Sequence, residues 1–167
     1  MRKTEIVPWT KNWEESYNQE AKIRKEIFRN ELLEIFHIGS TAVQCIGYAK
    51  PIIDILIVVK KIENVDEYAD KMQSIGYVAR AENGIAGRRY FPKGLDKRTH
   101  HVHIYQQGHE NIEKHLNFKA YLFNNPDIAK EYGNLKIKLA NQYPEDTHLY
   151  QKGKEDFVNQ LVAQSLR

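Results

Sequence analysis

FHIGSTAV (36–43) and KPIIDILIVV (50–59) decide how this chain is read. The second stretch is β-branched and almost wholly apolar over Ile52 to Val59. That is the signature of a central strand covered on both faces, yet it carries one carboxylate, Asp54, in its middle. A charge in such a strand is costly unless it is paired, hydrogen-bonded or metal-bound. Asp54 therefore reads as a structural carboxylate or as a site residue. The first stretch runs from a strand candidate, Glu34 to Ile38, into the turn Gly39-Ser40-Thr41 and a short helical segment, Thr41 to Ile46. Such a turn exposes several backbone N–H groups to which phosphate oxygens bind. Glycine lets a ligand come close, and Ser40 and Thr41 add hydroxyls; a plain turn is the alternative.

Outward from this pair, Thr4 to Val7 reads as a short edge strand closed by Pro8. A helix spans Trp9 to Phe28 on 3.6-residue spacing with Thr10 as its cap, and a second runs from an Asn64 cap to Ile75. Tyr77 to Ala81, Arg88 to Phe91 and Thr99 to Tyr105 read as strands, with turns at Asn83-Gly84 and Pro92-Lys93-Gly94. Three helices follow: Glu110 to Phe123, Pro126 to Asn141 with Pro at its first position, and about Gly153 to Ser165. The order predicts one α+β domain over 1–167, a small mixed β-sheet packed with helices, its helical part from about 110 onward.

The segments HIGSTAV (37–43), AKPIIDI (49–55), GRRYF (87–91), HVHIY (101–105), FKAYLFNNPDIAKEYGNLKIKLA (118–140) and YQKGKEDFV (150–158) occur in this order. Together they resemble the GrpB family over nearly the whole chain. That family is similar in fold to the nucleotidyltransferases of the DNA polymerase β type. The resemblance implies a nucleotidyltransferase-like fold in which the Gly-Ser turn holds a nucleotide triphosphate and acids on the next strand hold Mg²⁺. An acid would stand two residues after Asp54; this chain has Leu56, and members of the family often carry an apolar residue there. Val43-Gln44 stands where Val-Pro is usual, and Lys119-Ala120 where Arg-Asp is usual. By the same resemblance, related domains can occur fused to a coenzyme A biosynthetic kinase, but this chain has no P-loop motif, so kinase activity of that type is not expected.

Asp54 alone does not hold two metal ions, although one metal held with substrate phosphates is compatible with one carboxylate. His101 and His103 alternate on a strand and share a face, with His100 on the other. If they meet Asp54, the three are metal ligands for Mg²⁺, Mn²⁺ or Zn²⁺; anion binding, acid–base and purely structural roles stand beside that. His37 is placed on the face of Gly39, towards the phosphate site, or is a satisfied core histidine. Lys50, held extended before Pro51, reaches a phosphate or is a solvated lysine. Arg88 and Arg89 point to opposite sides, so one of them grips a phosphate or stabilises transferred charge. Lys136 and Lys138 read as a solvated helix face. The expected partner is a nucleotide or phosphorylated small molecule, taken by a transferase that lacks the second acid. The alternative is a non-catalytic ligand-binding or interaction protein with a degenerate site.

Bulk properties bound this reading. With 25 Lys+Arg against 22 Asp+Glu in 167 residues, the net charge of +3 is too small to argue for nucleic acid. One cysteine, Cys45, forms no intramolecular disulfide and suits a reducing compartment. MRKTEIVPWTKNW (1–13) has no apolar signal core and no run is long enough to span a membrane, so a cytoplasmic protein is expected.

Overall fold

The computed structural model describes residues 5–165. Its main sheet has four strands. Leu32–Ile38 (β2) pairs antiparallel with Ile53–Val59 (β4), which pairs parallel with His100–Gln106 (β6), which pairs antiparallel with Arg88–Lys93 (β5). A second, two-stranded piece joins Val7–Pro8 (β1) to Tyr48–Ala49 (β3). The apolar run thus becomes the central strand its composition predicts, with Ile55, Leu56, Ile57 and Val59 at 0% exposure.

The sheet has two unlike faces. Ile53, Ile55, Ile57 and Val59 point towards helix α1 (Asn12–Phe28) and the short helix α2 (Ala69–Gln73), packing with Trp13, Phe28, Met72 and Phe91. Each such side chain contributes roughly 1.5–3 kcal/mol by leaving water. Asp54 and Leu56 point the other way. That face is covered by α3 (Glu110–Asn124), α4 (Pro126–Gln142) and α5 (Thr147–Ser165). Ile112 and Leu116 of α3 cap Ile38, Leu56 and Tyr105. The helices also clamp the segment after Gly39, where Val43 and Ile46 pack with Leu122, Ala129, Tyr132 and Leu161. The fit is tightest at Gly133, where an added Cβ would fall 1.9 Å from the Ile46 carbonyl oxygen.

Several elements differ from the sequence reading for local reasons. The first strand is confined to Val7–Pro8; Thr4 lies outside the described residues. Trp9 pairs with Gly47 through its backbone N–H, so α1 begins at Asn12, whose N–H bonds the Thr10 hydroxyl at 3.2 Å. The Asn64 side chain is turned to Glu31 and caps nothing, and the segment is a 3₁₀ helix over Ile62–Tyr68 before α2. Tyr77 to Ala81 makes one bridge, Tyr77 to Lys93, rather than a strand. Val78 and Arg80 donate to the Pro92 and Tyr90 carbonyls, but Pro92 has no N–H to return, and Ala81 turns out of the extended region at φ 49°. Pro92 and Lys93 lie inside β5, so the turn there begins at Gly94. Helix α5 starts earlier than its apolar spacing suggests, at Thr147, because the Asp146 carboxylate accepts the Leu149 N–H.

Candidate functional site

Strand register brings the candidates together. Asp54 pairs with His101, and Leu56 with His103, across the parallel ladder. His101 Nδ1 and His103 Nε2 each lie 3.4 Å from the same oxygen, Asp54 Oδ1. On the next strand Arg88 shares this face and Arg89 does not. Arg88 is buried and sends Nη1 towards His103 Nδ1 at 3.4 Å, holding the carbonyls of Glu82 and Asn83 with its other nitrogens. Arg89 forms an ion pair with Asp66 at 2.8 Å on the opposite face. His100 also points away, towards Glu20.

A guanidinium only donates, so His103 Nδ1 accepts from Arg88 and its ring proton sits on Nε2, facing Asp54. Burial by itself pushes the Asp54 carboxyl up, but hydrogen bonds and charge from His101 and His103 outweigh it and hold the group well below the usual carboxylate range. Asp54 is therefore an anion shared by two imidazoles, with its side chain 28% exposed to the cleft. His101 Nε2 is buried without a hydrogen-bond partner.

This arrangement does not fit the expected metal set. The nitrogen that His103 turns to Asp54 carries a proton rather than a lone pair. Among the described residues no group of three or more His, Cys, Asp or Glu side chains is placed to hold a metal ion. The place of the second acid is filled by Leu56, at 0% exposure between Ile38 and Tyr105.

The Gly-Ser-Thr turn meets the carboxylate directly. Gly39 has φ 75°, and a Cβ added there would lie 2.7 Å from Asp54 Oδ2, so both its backbone and its missing side chain are required. The segment after it is not one helix but two single 3₁₀ turns, Ser40–Ala42 and Gln44–Ile46. The N–H groups of Ala42 and Val43 are bonded within the turn, so a helix dipole contributes little. The Thr41 hydroxyl is taken up by His37 Nε2 at 2.8 Å. His37 itself lies on the opposite face from Asp54, stacked on Tyr17 of α1 at 4.8 Å, and does not face the cleft. Burial lowers its pKa to about 4, with the nearby Lys119 ammonium adding to the effect. Lys119, in the usual arginine's place, donates to the His37 carbonyl at 2.8 Å.

Besides Lys50, which the sequence offers as a phosphate ligand, the cleft's cations are Lys136, read as solvent-facing, and Lys154, which the sequence reading does not single out. Lys136 is buried, at 4% exposure, and donates to the Ser40 hydroxyl. Lys154 enters from α5. Both use the same local device, a tyrosine four residues earlier on the same helix face. The Lys136 ammonium lies 4.6 Å from the Tyr132 ring centre and that of Lys154 5.4 Å from Tyr150, which also carries Lys50 at 4.5 Å. The repeat Tyr132-x-x-x-Lys136 and Tyr150-x-x-x-Lys154 is the sequence signal that helix periodicity alone passes over. Burial, and then the neighbouring Lys154 charge, push the Lys136 ammonium well below the ordinary lysine range; burial lowers Lys154 as well. Lys138 is exposed, as its spacing predicts. Lys50, Lys136 and Lys154 line a cavity of about 240 Å³ with Gly39, Ser40 and Thr41, and among its described lining residues Asp54 is the one carboxylate.

Strands, helices and cleft define a small α+β protein with a basic cavity over one central-strand carboxylate. Residues 3–164 match the profile of the family described as GrpB protein, and the chain belongs to that family. It is 48% identical over 157 residues to the UPF0157 protein YqkA of Bacillus subtilis, covering 94% of this chain but 46% of that protein, about half its length. It is 32% identical to the glutamate-rich protein GrpB of Alkalihalophilus pseudofirmus, covering 94% of this chain and 92% of that one. The crystal structure of the conserved protein GrpB from Enterococcus faecalis superposes with a TM-score of 0.92 at 41% identity, covering 97% of each chain. Among the described residues no helix is long and apolar enough to cross a membrane.

Proposed function

We propose that this protein binds a nucleotide or another phosphorylated small molecule in the basic cavity over β4. One observation carries the reading: three lysines converge on about 240 Å³ whose lining carboxylate, Asp54, is already bracketed by two histidines. Ammonium groups gathered in a half-buried cleft repel one another, and a polyanion relieves that repulsion. Strand, Gly-Ser turn, and strand with Asp follow the order of a nucleotidyltransferase-like fold, and this reading takes the cavity as the descendant of that fold's triphosphate site in a cytoplasmic setting. It stops at binding. Two-metal transfer needs further carboxylate ligands, and Leu56 fills the place of one.

Calorimetric titration with inorganic tripolyphosphate and with ATP, with and without Mg²⁺, Mn²⁺ or Zn²⁺, tests it. Binding without metal that is lost in Lys136→Met and Lys154→Met is the expected result. At about 100 times its Kd a ligand adds about 2.7 kcal/mol to stability, which thermal unfolding also registers. No binding of either anion under any of these conditions overturns the reading. Binding that appears only with metal, and vanishes in His101→Ala, restores the metal-dependent version.

A further inference from the structure

Ser40 and Thr41 are neighbours in the turn, but their hydroxyls are held differently. That of Thr41 is buried and taken up by His37. Ser40 is half-buried, lines the cavity of about 240 Å³, and its hydroxyl meets the Lys136 amine. It follows Gly39, whose φ of 75° breaks the strand. A sharp turn at a strand end is one setting in which a serine nucleophile is presented to a ligand. Helix α4 stands opposite. Tyr132 and Lys136 lie one turn apart on it, with the ammonium 4.6 Å from the ring centre. The Tyr132 hydroxyl also turns to Ser40; burial pushes its pKa up to about 12, so it keeps its proton near neutral pH.

A serine hydroxyl is a weak nucleophile until an adjacent base takes its proton. Lysine is such a base only when neutral, and burial beside another cation favours the neutral amine. Lys136 meets both conditions. It is buried, Lys154 is the neighbouring charge, and the carboxylate that attracts it, Asp54, is already shared by His101 and His103.

We infer that Ser40 and Lys136 form a nucleophile–base pair that takes an acyl group from a small uncharged ester. Ser40 Oγ bonds to the ester carbonyl carbon while Lys136 Nζ takes the hydroxyl proton. The C–O bond to the alcohol then breaks, and Lys136 returns the proton to the departing alkoxide. Water attacks the acyl-serine by the same route, releasing the carboxylic acid and restoring Ser40. Lys50 and Lys154 line the same cavity and supply positive charge for the carbonyl oxygen as it becomes negative. A phosphate drawn in among the lysines would instead hold Lys136 as an ammonium, with no lone pair to offer. The inference therefore goes beyond the anion-binding reading and stands without it: acyl transfer belongs to the cavity free of anions.

The test treats the full chain with an uncharged fluorophosphonate and with p-nitrophenyl acetate, in wild type, Ser40→Ala, Lys136→Met and Lys154→Met. Peptide mass spectrometry locates the adduct. The fluorophosphonate is expected on Ser40, with fluoride leaving, and p-nitrophenyl acetate is expected to turn over in wild type and not in Ser40→Ala. Both rates should fall about 100-fold or more in Lys136→Met, with thermal unfolding showing that this variant folds. The wild-type rate should rise with pH as Lys136 loses its proton. The titratable groups around that amine are Tyr132 of its own helix, Tyr150 and Lys154 of α5, Lys50, Asp54 and His101. Lys154 opposes the charge on Lys136, so Lys154→Met should move the rise to higher pH, which a lysine that merely anchors the turn would not show. An adduct on Lys136 or elsewhere instead of Ser40 overturns the inference. So does an equal rate in Lys136→Met, or a pH profile that Lys154→Met leaves in place. Tripolyphosphate should slow the labelling; labelling of Ser40 that it does not slow supports the pair and counts against the anion site alone.

Discussion

Arg24 and Lys136 are both buried cations, at 0% and 4% exposure, on opposite faces of one sheet. Arg24 is provided for. Its guanidinium meets Glu20 at 2.6 Å, reaches the Met72 sulfur and lies 4.6 Å from the Tyr77 ring centre, while Tyr77, Lys93 and His100 also turn to Glu20. Lys136 has a serine hydroxyl and a tyrosine ring, and among the described residues no carboxylate forms an ion pair with it; Asp54 attracts it from further away. A buried cation with its counter-charge built in holds a fold together. Lys136 has no such pairing among the described residues, and the proposed anion site rests on that difference.

That contrast is open to experiment. The largest effect is expected from Glu20→Ala, which leaves Arg24 buried and uncompensated and should cost about 3–5 kcal/mol in chemical denaturation. A smaller loss would mean that the Arg24 cluster is no more structural than the Lys136 site. Gly39→Ala combines a left-handed backbone with a collision against Asp54. It should cost about 1–3 kcal/mol and abolish tripolyphosphate binding in protein that still folds. Acid should act through the buried histidines. His37 and His115 are held neutral, with pKa values lowered to about 4 from an ordinary 6.5. Between those values the unfolded chain binds more protons than the fold, so stability rises with pH across this window and is lost as pH falls through it. The loss is on the order of 2–3 kcal/mol per histidine by pH 4.5, and His115→Leu should flatten the slope. The smallest stability change belongs to Lys136→Met, and its sign matters most. Because burial opposes its charge and no carboxylate of the described residues is paired with it, removing this lysine should raise stability by about 1 kcal/mol as anion binding disappears. A destabilised Lys136→Met would place it with Arg24 and end the contrast.

Much of this was legible in the chain. The apolar alternation-free run around Asp54 fixed the central strand, and parity along Thr99 to Tyr105 put His101 and His103 together and His100 apart. Parity fails for His37, because the strand's alternation does not carry through Gly39. At φ 75° the chain leaves the strand there, and the ladder pairs Ile38, not His37, with Asp54. The two helical lysines, Lys136 and Lys154, were not legible from helix periodicity. Lys136 and Lys138 look alike in sequence, and only the closure of α4 and α5 over the sheet buries one and leaves the other in water. Likewise nothing local separates Arg88 from Arg89; the pairing of Arg88 with Tyr105 does.

Gly39 has one more consequence. Its Cα is the spacer between the end of β2 and the carboxylate in the middle of β4, and a Cβ added to it would press on Asp54 Oδ2. Turn and carboxylate are therefore gauged against each other by a single hydrogen and move as one piece. The other wall is built differently, since Tyr132, Lys136, Tyr150 and Lys154 ride on helices. If the proposed anion binds, the floor of the cleft is its fixed jaw, and any adjustment to ligand length falls to α4 and α5.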